Sequence, residues 1–81
     1  MVTPEYVQSS IIQNLACQHC EVQGDGQHFE AVIVSDAFVG LRTIQQHQKV
    51  YAALGDKMRE EIHALSMKTF TPEQWALSVK K

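Results

Sequence analysis

Four histidines and two cysteines are the side chains of this sequence best suited to hold a metal or move a proton. Imidazole changes charge near neutral pH and is a frequent metal ligand. His63 stands at the head of Ile62-His63-Ala64-Leu65-Ser66-Met67-Lys68-Thr69, a half-apolar run of strand type. A ligand on a strand is held by rigid backbone. The plainer reading of His63 is a strand histidine with one ring nitrogen bonded to backbone. His28 follows Gly24-Asp25-Gly26-Gln27 and opens a second strand-type run. It reads either as a solvated hairpin residue or as a ligand reaching outward.

Two other groups read as structural. His47 falls at helical spacing with Ile44, Tyr51 and Leu54, which makes it a buried or half-buried residue of a helix. Cys17-Gln18-His19-Cys20 has the C-x-x-C spacing of thiol redox sites, but such sites open a helix after a strand. Here a helix ends and a strand begins, so both thiols read as small core fillers. No Ser-His-Asp set, paired-carboxylate cleft or phosphate loop is discernible, so catalysis has little support.

The elements that position these residues follow from local chemistry. Thr3-Pro4-Glu5 starts a helix, because Thr can cap and Pro suits the first helical position. Val7, Ile11, Ile12 and Leu15 give it an apolar face, with an end near Ala16. Cys20–Gln23 alternates as a half-buried strand does. Asp25-Gly26 supplies a tight turn, and 29–34 is a second strand, making a hairpin. Phe29, Ala31 and Ile33 share the face expected to pack on helices; His28, Glu30, Val32 and Val34 share the other. A helix is expected from about Leu41 to Leu54, ending at Gly55 in the left-handed region. A short helix capped by Asp56, a third strand from about Ile62 to Lys68, and a last helix opened by Thr71-Pro72-Glu73-Gln74 complete the order.

That order is α-β-β-α-α-β-α. The long helical link makes strands two and three parallel neighbours. The fold class is α+β: a small three-stranded mixed sheet with helices packed on one side. Parallel pairing would bring His28 and His63 to one edge of the sheet. Eighty-one residues make a single domain, 1–81. No apolar run approaches the roughly 20 residues that span a bilayer, and the first residues do not read as a secretory signal, so the expected location is cytoplasmic. The net charge of −2 argues against tight nonspecific binding to DNA. The candidate phosphate contacts, Arg42 and Lys49, together with Lys57 and Arg59, are interleaved with acids.

The His63 segment, the Gly24-Asp25-Gly26-Gln27-His28-Phe29 turn, Phe38-Val39-Gly40 and the Thr71–Trp75 helix start resemble, in order and spacing, the BolA family. The likeness is greatest to its short bacterial IbaG-like members and runs from about Glu21 to Trp75. It implies a fold related to the second class of KH domains. His63 falls on the histidine of the family's Ile/Val-His-Ala segment, which binds iron at an interface with a partner. The family draws a second ligand, Cys or His, from the hairpin loop. Asp25 falls nearer that spot in this short loop, and His28 is the nearest group able to ligate.

A cluster iron pair usually has four protein ligands, and in the family a monothiol glutaredoxin supplies the remaining cysteine, with glutathione completing the set. The resemblance therefore implies a non-enzymatic adaptor that shares a [2Fe-2S] cluster with such a partner. Its setting would be iron–sulfur trafficking, iron sensing or acid and other stress. The alternative is a nucleic-acid-binding transcriptional regulator of the BolA type. Against it, Gln46 and Gln48 stand where relatives often carry arginines around His47. The Gly-x-x-Gly clamp of KH domains is also absent.

Overall fold

Thr3 opens the first helix by accepting a hydrogen bond at Oγ1 from the Tyr6 amide (3.1 Å), with Pro4 in the first helical position. The computed structural model describes residues 2–60, 62 and 64–79. Helix α1 spans Pro4–Asn14 and buries Val7, Ser10 and Ile11. It ends two residues before the expected Ala16. Ile12, expected on the inward face, is 49% exposed, because the face is completed by Ser10, whose hydroxyl donates back to the Tyr6 carbonyl at 2.8 Å. The Asn14 amide donates to the Ala53 carbonyl at 3.0 Å and fastens this end to the middle helix.

Strands β1 (His19–Gly24) and β2 (His28–Val34) form the antiparallel hairpin, and β3 (Ala64–Phe70) lies parallel to β2 on its other side. The spatial order is β1-β2-β3. Between β2 and β3 run a 3-10 turn (Asp36–Phe38), α2 (Thr43–Leu54) and α3 (Lys57–Glu60); α4 (Pro72–Val79) follows β3. The expected order of elements and the parallel crossover are both present.

Phe29, Ala31 and Ile33 form the buried face of β2 and join Val7, Ile11, Val22, Phe38, Val50, Leu54 and Ile62 in one core. The opposite side chains alternate outward, where Glu30 is exposed. Helices α1 and α2 pack on the core face as expected, whereas α4 meets the other face through Trp75, whose ring lies against His19 and Phe70. Its start is the reciprocal box expected from sequence: Thr71 Oγ1 accepts from the Gln74 amide (3.2 Å) and Gln74 Oε1 accepts from the Thr71 amide (2.9 Å).

Two element starts, the conformation of Gly55 and one helix face differ from expectation. Strand β3 begins at Ala64, not Ile62. Ile62 is buried, and its amide donates to the Lys57 carbonyl (2.9 Å), so it closes the α3 turn instead of pairing in the sheet. Helix α2 begins at Thr43, since Arg42 is extended (φ −71°, ψ 160°) and forms the N-cap. Gly55 has φ 59° and ψ −135°, outside the left-handed helical well and open to glycine alone. The inward face of α2 is Gln46, Val50, Ala53 and Leu54. Ile44 is 65% exposed and Tyr51 41%, while His47 is half-buried at the margin.

Candidate functional site

Turn chemistry places His28. The Asp25 carboxylate Oδ1 accepts hydrogen bonds from the Gln27 and His28 amides, both at 2.9 Å, and the Asp25 amide donates to the His28 carbonyl at 3.2 Å. Gly26 takes φ 99°, as the tight turn requires. Gly24 is fixed by crowding: a Cβ there would run into the His28 carbonyl oxygen and come within 2.6 Å of Phe29 Cδ1. The result is an exposed imidazole on the first residue of β2.

Asp25 also explains a local pH response. The His28 amide, and then the Gln27 amide, hold its carboxyl below the ordinary carboxylate range. A lowered value in the folded state means this bracing is complete above the ordinary range and is lost as the pH falls through the lowered one. Acid titration followed by amide NMR should show the Gln27 and His28 signals moving together, with a midpoint below that of an unbonded aspartate. A midpoint at or above the ordinary value would remove Asp25 as the brace of this turn.

In the parallel pair, His28 is the register partner of Ala64, and Phe29 of Leu65. His63, the other expected ligand, lies outside the described residues; its successor in the chain is the residue beside His28. Among the described residues no three His, Cys, Asp or Glu side chains form a group able to hold a metal ion.

The cysteines stand elsewhere. Cys20 pairs with Ile33, five residues along β2 from His28, or roughly 16 Å at strand spacing. Both thiols are free and half-buried. Burial pushes the Cys20 thiol up to about 12, with the neighbouring Cys17 adding to the effect. Burial also raises Cys17, partly offset by its hydrogen bond with Cys20. Both stay protonated at neutral pH, the form that neither attacks nor ligates, as the core-filler reading expects.

Arg42 and Lys49 are exposed. Arg42 is the N-cap of α2, and Lys49 lies within the helix. The Arg42 amide donates to Gln45 Oε1 at 2.9 Å, which closes the N-terminal end of the helix. Gln46 lies inside, 5% exposed. Its amide donates to the Phe38 (3.3 Å) and Leu41 (3.0 Å) carbonyls and its oxygen accepts from Thr69 Oγ1 (2.6 Å). It is therefore turned away from any external phosphate.

A hollow of about 210 Å³ opens on the outer face of the sheet, lined by residues including Glu21, Gln23, Glu30, Ser66 and Lys68. Among the described residues, none of the expected site residues, His28, Arg42 and Lys49, lines it. What sequence reasoning missed was the buried role of Gln46 and the ring stack of His19 on Trp75. The first hides because periodicity scores a glutamine as polar. The second joins residues 56 positions apart (75 − 19) with no local pattern.

A three-stranded mixed sheet with a helical β2–β3 crossover and a histidine opening the central strand defines a small α+β domain. The family model described as BolA-like protein matches residues 5–74, and the chain belongs to the BolA family. It is 41% identical over 64 residues to a protein of Haemophilus influenzae named DNA-binding transcriptional regulator BolA; the match covers 79% of this chain and 62% of that protein, less than two thirds of its length. It is 37% identical over 71 residues to acid stress protein IbaG of Escherichia coli K12, covering 86% of this chain and 84% of the relative. The solved structure of a BolA homologue from Coxiella burnetii superposes with a TM-score of 0.82 at 40% identity, covering 94% and 99% of the two chains. These relatives are named as regulators and stress proteins, not as enzymes. No helix of the described residues is long and apolar enough to cross a membrane.

Proposed function

We propose that this chain is a non-enzymatic adaptor that shares a [2Fe-2S] cluster with a monothiol glutaredoxin, with His63 and His28 as its ligands. The register of β2 against β3 carries the reading: the exposed His28 sits beside Ala64, the residue that follows His63. Parallel neighbours lie roughly 4.8 Å apart and consecutive Cα atoms about 3.8 Å, spacings that support a ligand pair drawn from positions 28 and 63. The donor set fits a shared group. Two imidazoles leave half of the usual ligands open, and the thiols are too distant and too firmly protonated to fill them. A partner thiolate and glutathione complete the set. The cluster supplies iron, sulfide and one-electron chemistry; this chain supplies the imidazoles and the rigid strand that carries them.

Mixing the chain with a monothiol glutaredoxin, glutathione, ferrous iron and sulfide should give a heterodimer with a distinctive visible circular dichroism spectrum. His63→Ala should weaken cluster retention by more than the roughly 10–100-fold usual for losing an outer-shell contact, whereas replacing Cys17 and Cys20 together with Ala should leave the spectrum unchanged. An unaltered spectrum in His63→Ala, or its loss in a folded double-cysteine variant, would contradict the assignment.

The second reading is DNA binding, favoured by the name of the Haemophilus relative and by the exposed Arg42 and Lys49. If those two cations neutralise phosphates, replacing both with Gln should reduce the slope of log affinity against log salt by about 2. An unchanged slope removes them from any such interface.

A further inference from the structure

We propose that the hollow on the outer face of the sheet binds a small zwitterion, about the size of a dipeptide, between an acceptor wall on β1 and β2 and a donor wall on β3. Strand register defines the two walls. The row His19–Val34–Phe70 meets Trp75 of α4 through both of its end rings. The next two rows, Glu21–Val32–Lys68 and Gln23–Glu30–Ser66, line the hollow.

Alternation along each strand puts these six side chains on the face away from the core. Strands β1 and β2 contribute Glu21, Gln23 and Glu30, two carboxylates and an amide. Gln23 donates through Nε2 to Glu21 Oε1 at 3.4 Å and keeps its own oxygen as an acceptor. Strand β3 contributes a hydroxyl and an ammonium, Ser66 and Lys68. Val32 forms an apolar floor between Glu21 and Lys68, whose strands are two spacings apart, roughly 9.6 Å. Among the described residues, no ion pair or side-chain hydrogen bond engages Glu30, Ser66 or Lys68.

Solvation of an open sheet face explains polar residues here, and a lysine on an edge strand also guards against pairing with another chain. Neither explains why acceptors collect on β1 and β2 and donors on β3, around a hollow of about 210 Å³. A simple cation entering it would meet Lys68, and a simple anion would meet Glu21 and Glu30. A ligand with an ammonium at one end and a carboxylate at the other complements both walls. Pockets for drug-sized ligands run to roughly 300–1,000 Å³, so this smaller hollow suits one or two amino-acid residues. His28 is not among its lining residues, and the proposal stands apart from the cluster reading.

Titration of the ¹⁵N-labelled full chain with alanyl-alanine at neutral pH and constant ionic strength, followed by amide NMR, tests this. Saturable shifts are expected at Gln23, Glu30, Ser66 and Lys68, with a Kd in the millimolar range. N-acetyl-alanyl-alanine lacks the ammonium and alanyl-alanine amide lacks the carboxylate. Each should bind roughly two- to fivefold more weakly, as for exposed ion pairs. Lys68→Gln should weaken the dipeptide to the level of its amide and leave the amide unaffected. Glu30→Gln should bring the dipeptide toward its N-acetyl form. Both positions are exposed, and an otherwise unchanged amide spectrum confirms that each variant is folded. No saturable shift in the hollow, a blocked form that binds as tightly as the dipeptide, or unaltered affinity in both variants overturns the proposal.

Discussion

Phe29→Ala is expected to lower the unfolding free energy by about 3–5 kcal/mol. The ring is 1% exposed and stands at the turn end of the hairpin, in one core cluster with Val7 and Ile11 of α1 and Val50 and Leu54 of α2. Its register partners are Gly24 on one side and Leu65 on the other. Gly24 has no side chain to move into the vacated space, and the strand backbone cannot close over it, so most of the cavity should persist. A chain of 81 residues has roughly 4–12 kcal/mol of stability in total, and short chains have small cores. The loss should bring the domain close to the folding threshold. Urea denaturation should show a much lower midpoint with the slope little changed; a loss below about 1 kcal/mol would place the ring outside the core. Because Phe29 follows His28 directly, the same variant should also loosen the edge on which the proposed adaptor function depends.

Gln46→Leu should cost about 2–4 kcal/mol, although leucine is close to glutamine in size and leaves little cavity. The side chain joins three segments that are distant in sequence: the Phe38 and Leu41 carbonyls accept from it, and the Thr69 hydroxyl donates to it. Leucine would strand the Leu41 carbonyl and the Thr69 hydroxyl, while the Phe38 carbonyl keeps the Leu41 amide, and each stranded group costs roughly 1–3 kcal/mol. Thr69→Val added to Gln46→Leu should recover part of the loss by removing the stranded hydroxyl. A double-mutant cycle should therefore show coupling of about 0.5 kcal/mol or more. Strict additivity would mean that the Thr69–Gln46 bond does not hold β3 to α2.

The contrast between these two positions explains what the sequence made legible. Phe29 sits in an alternating run after an Asp-Gly turn, and Thr71 to Gln74 is a capping box; both are local patterns with one structural solution. The parallel placement of β3 followed from the length of the helical link. The start of β3 did not, because Ile62 has the same apolar character whether it pairs in a sheet or closes a helical turn. The inward face of α2 was misread because Ile44 and Tyr51 share helical spacing with His47, while the buried centre of the true face is a glutamine satisfied by groups from other segments. At the candidate site, the exposed position of His28 was readable from its turn, and its pairing with Ala64 follows from the parallel register. The contribution of His63 rests on chain connectivity to Ala64 and on family membership.

Pulsed paramagnetic resonance of the reduced, reconstituted heterodimer is the most direct test of ligation by this chain. The chain should carry ¹⁵N-labelled histidine and the glutaredoxin should be unlabelled. The account predicts ¹⁵N hyperfine couplings of the size given by imidazole bound directly to iron, reduced in His63→Ala and abolished when His28 and His63 are both replaced with Ala. An intact cluster spectrum with no such coupling would contradict it.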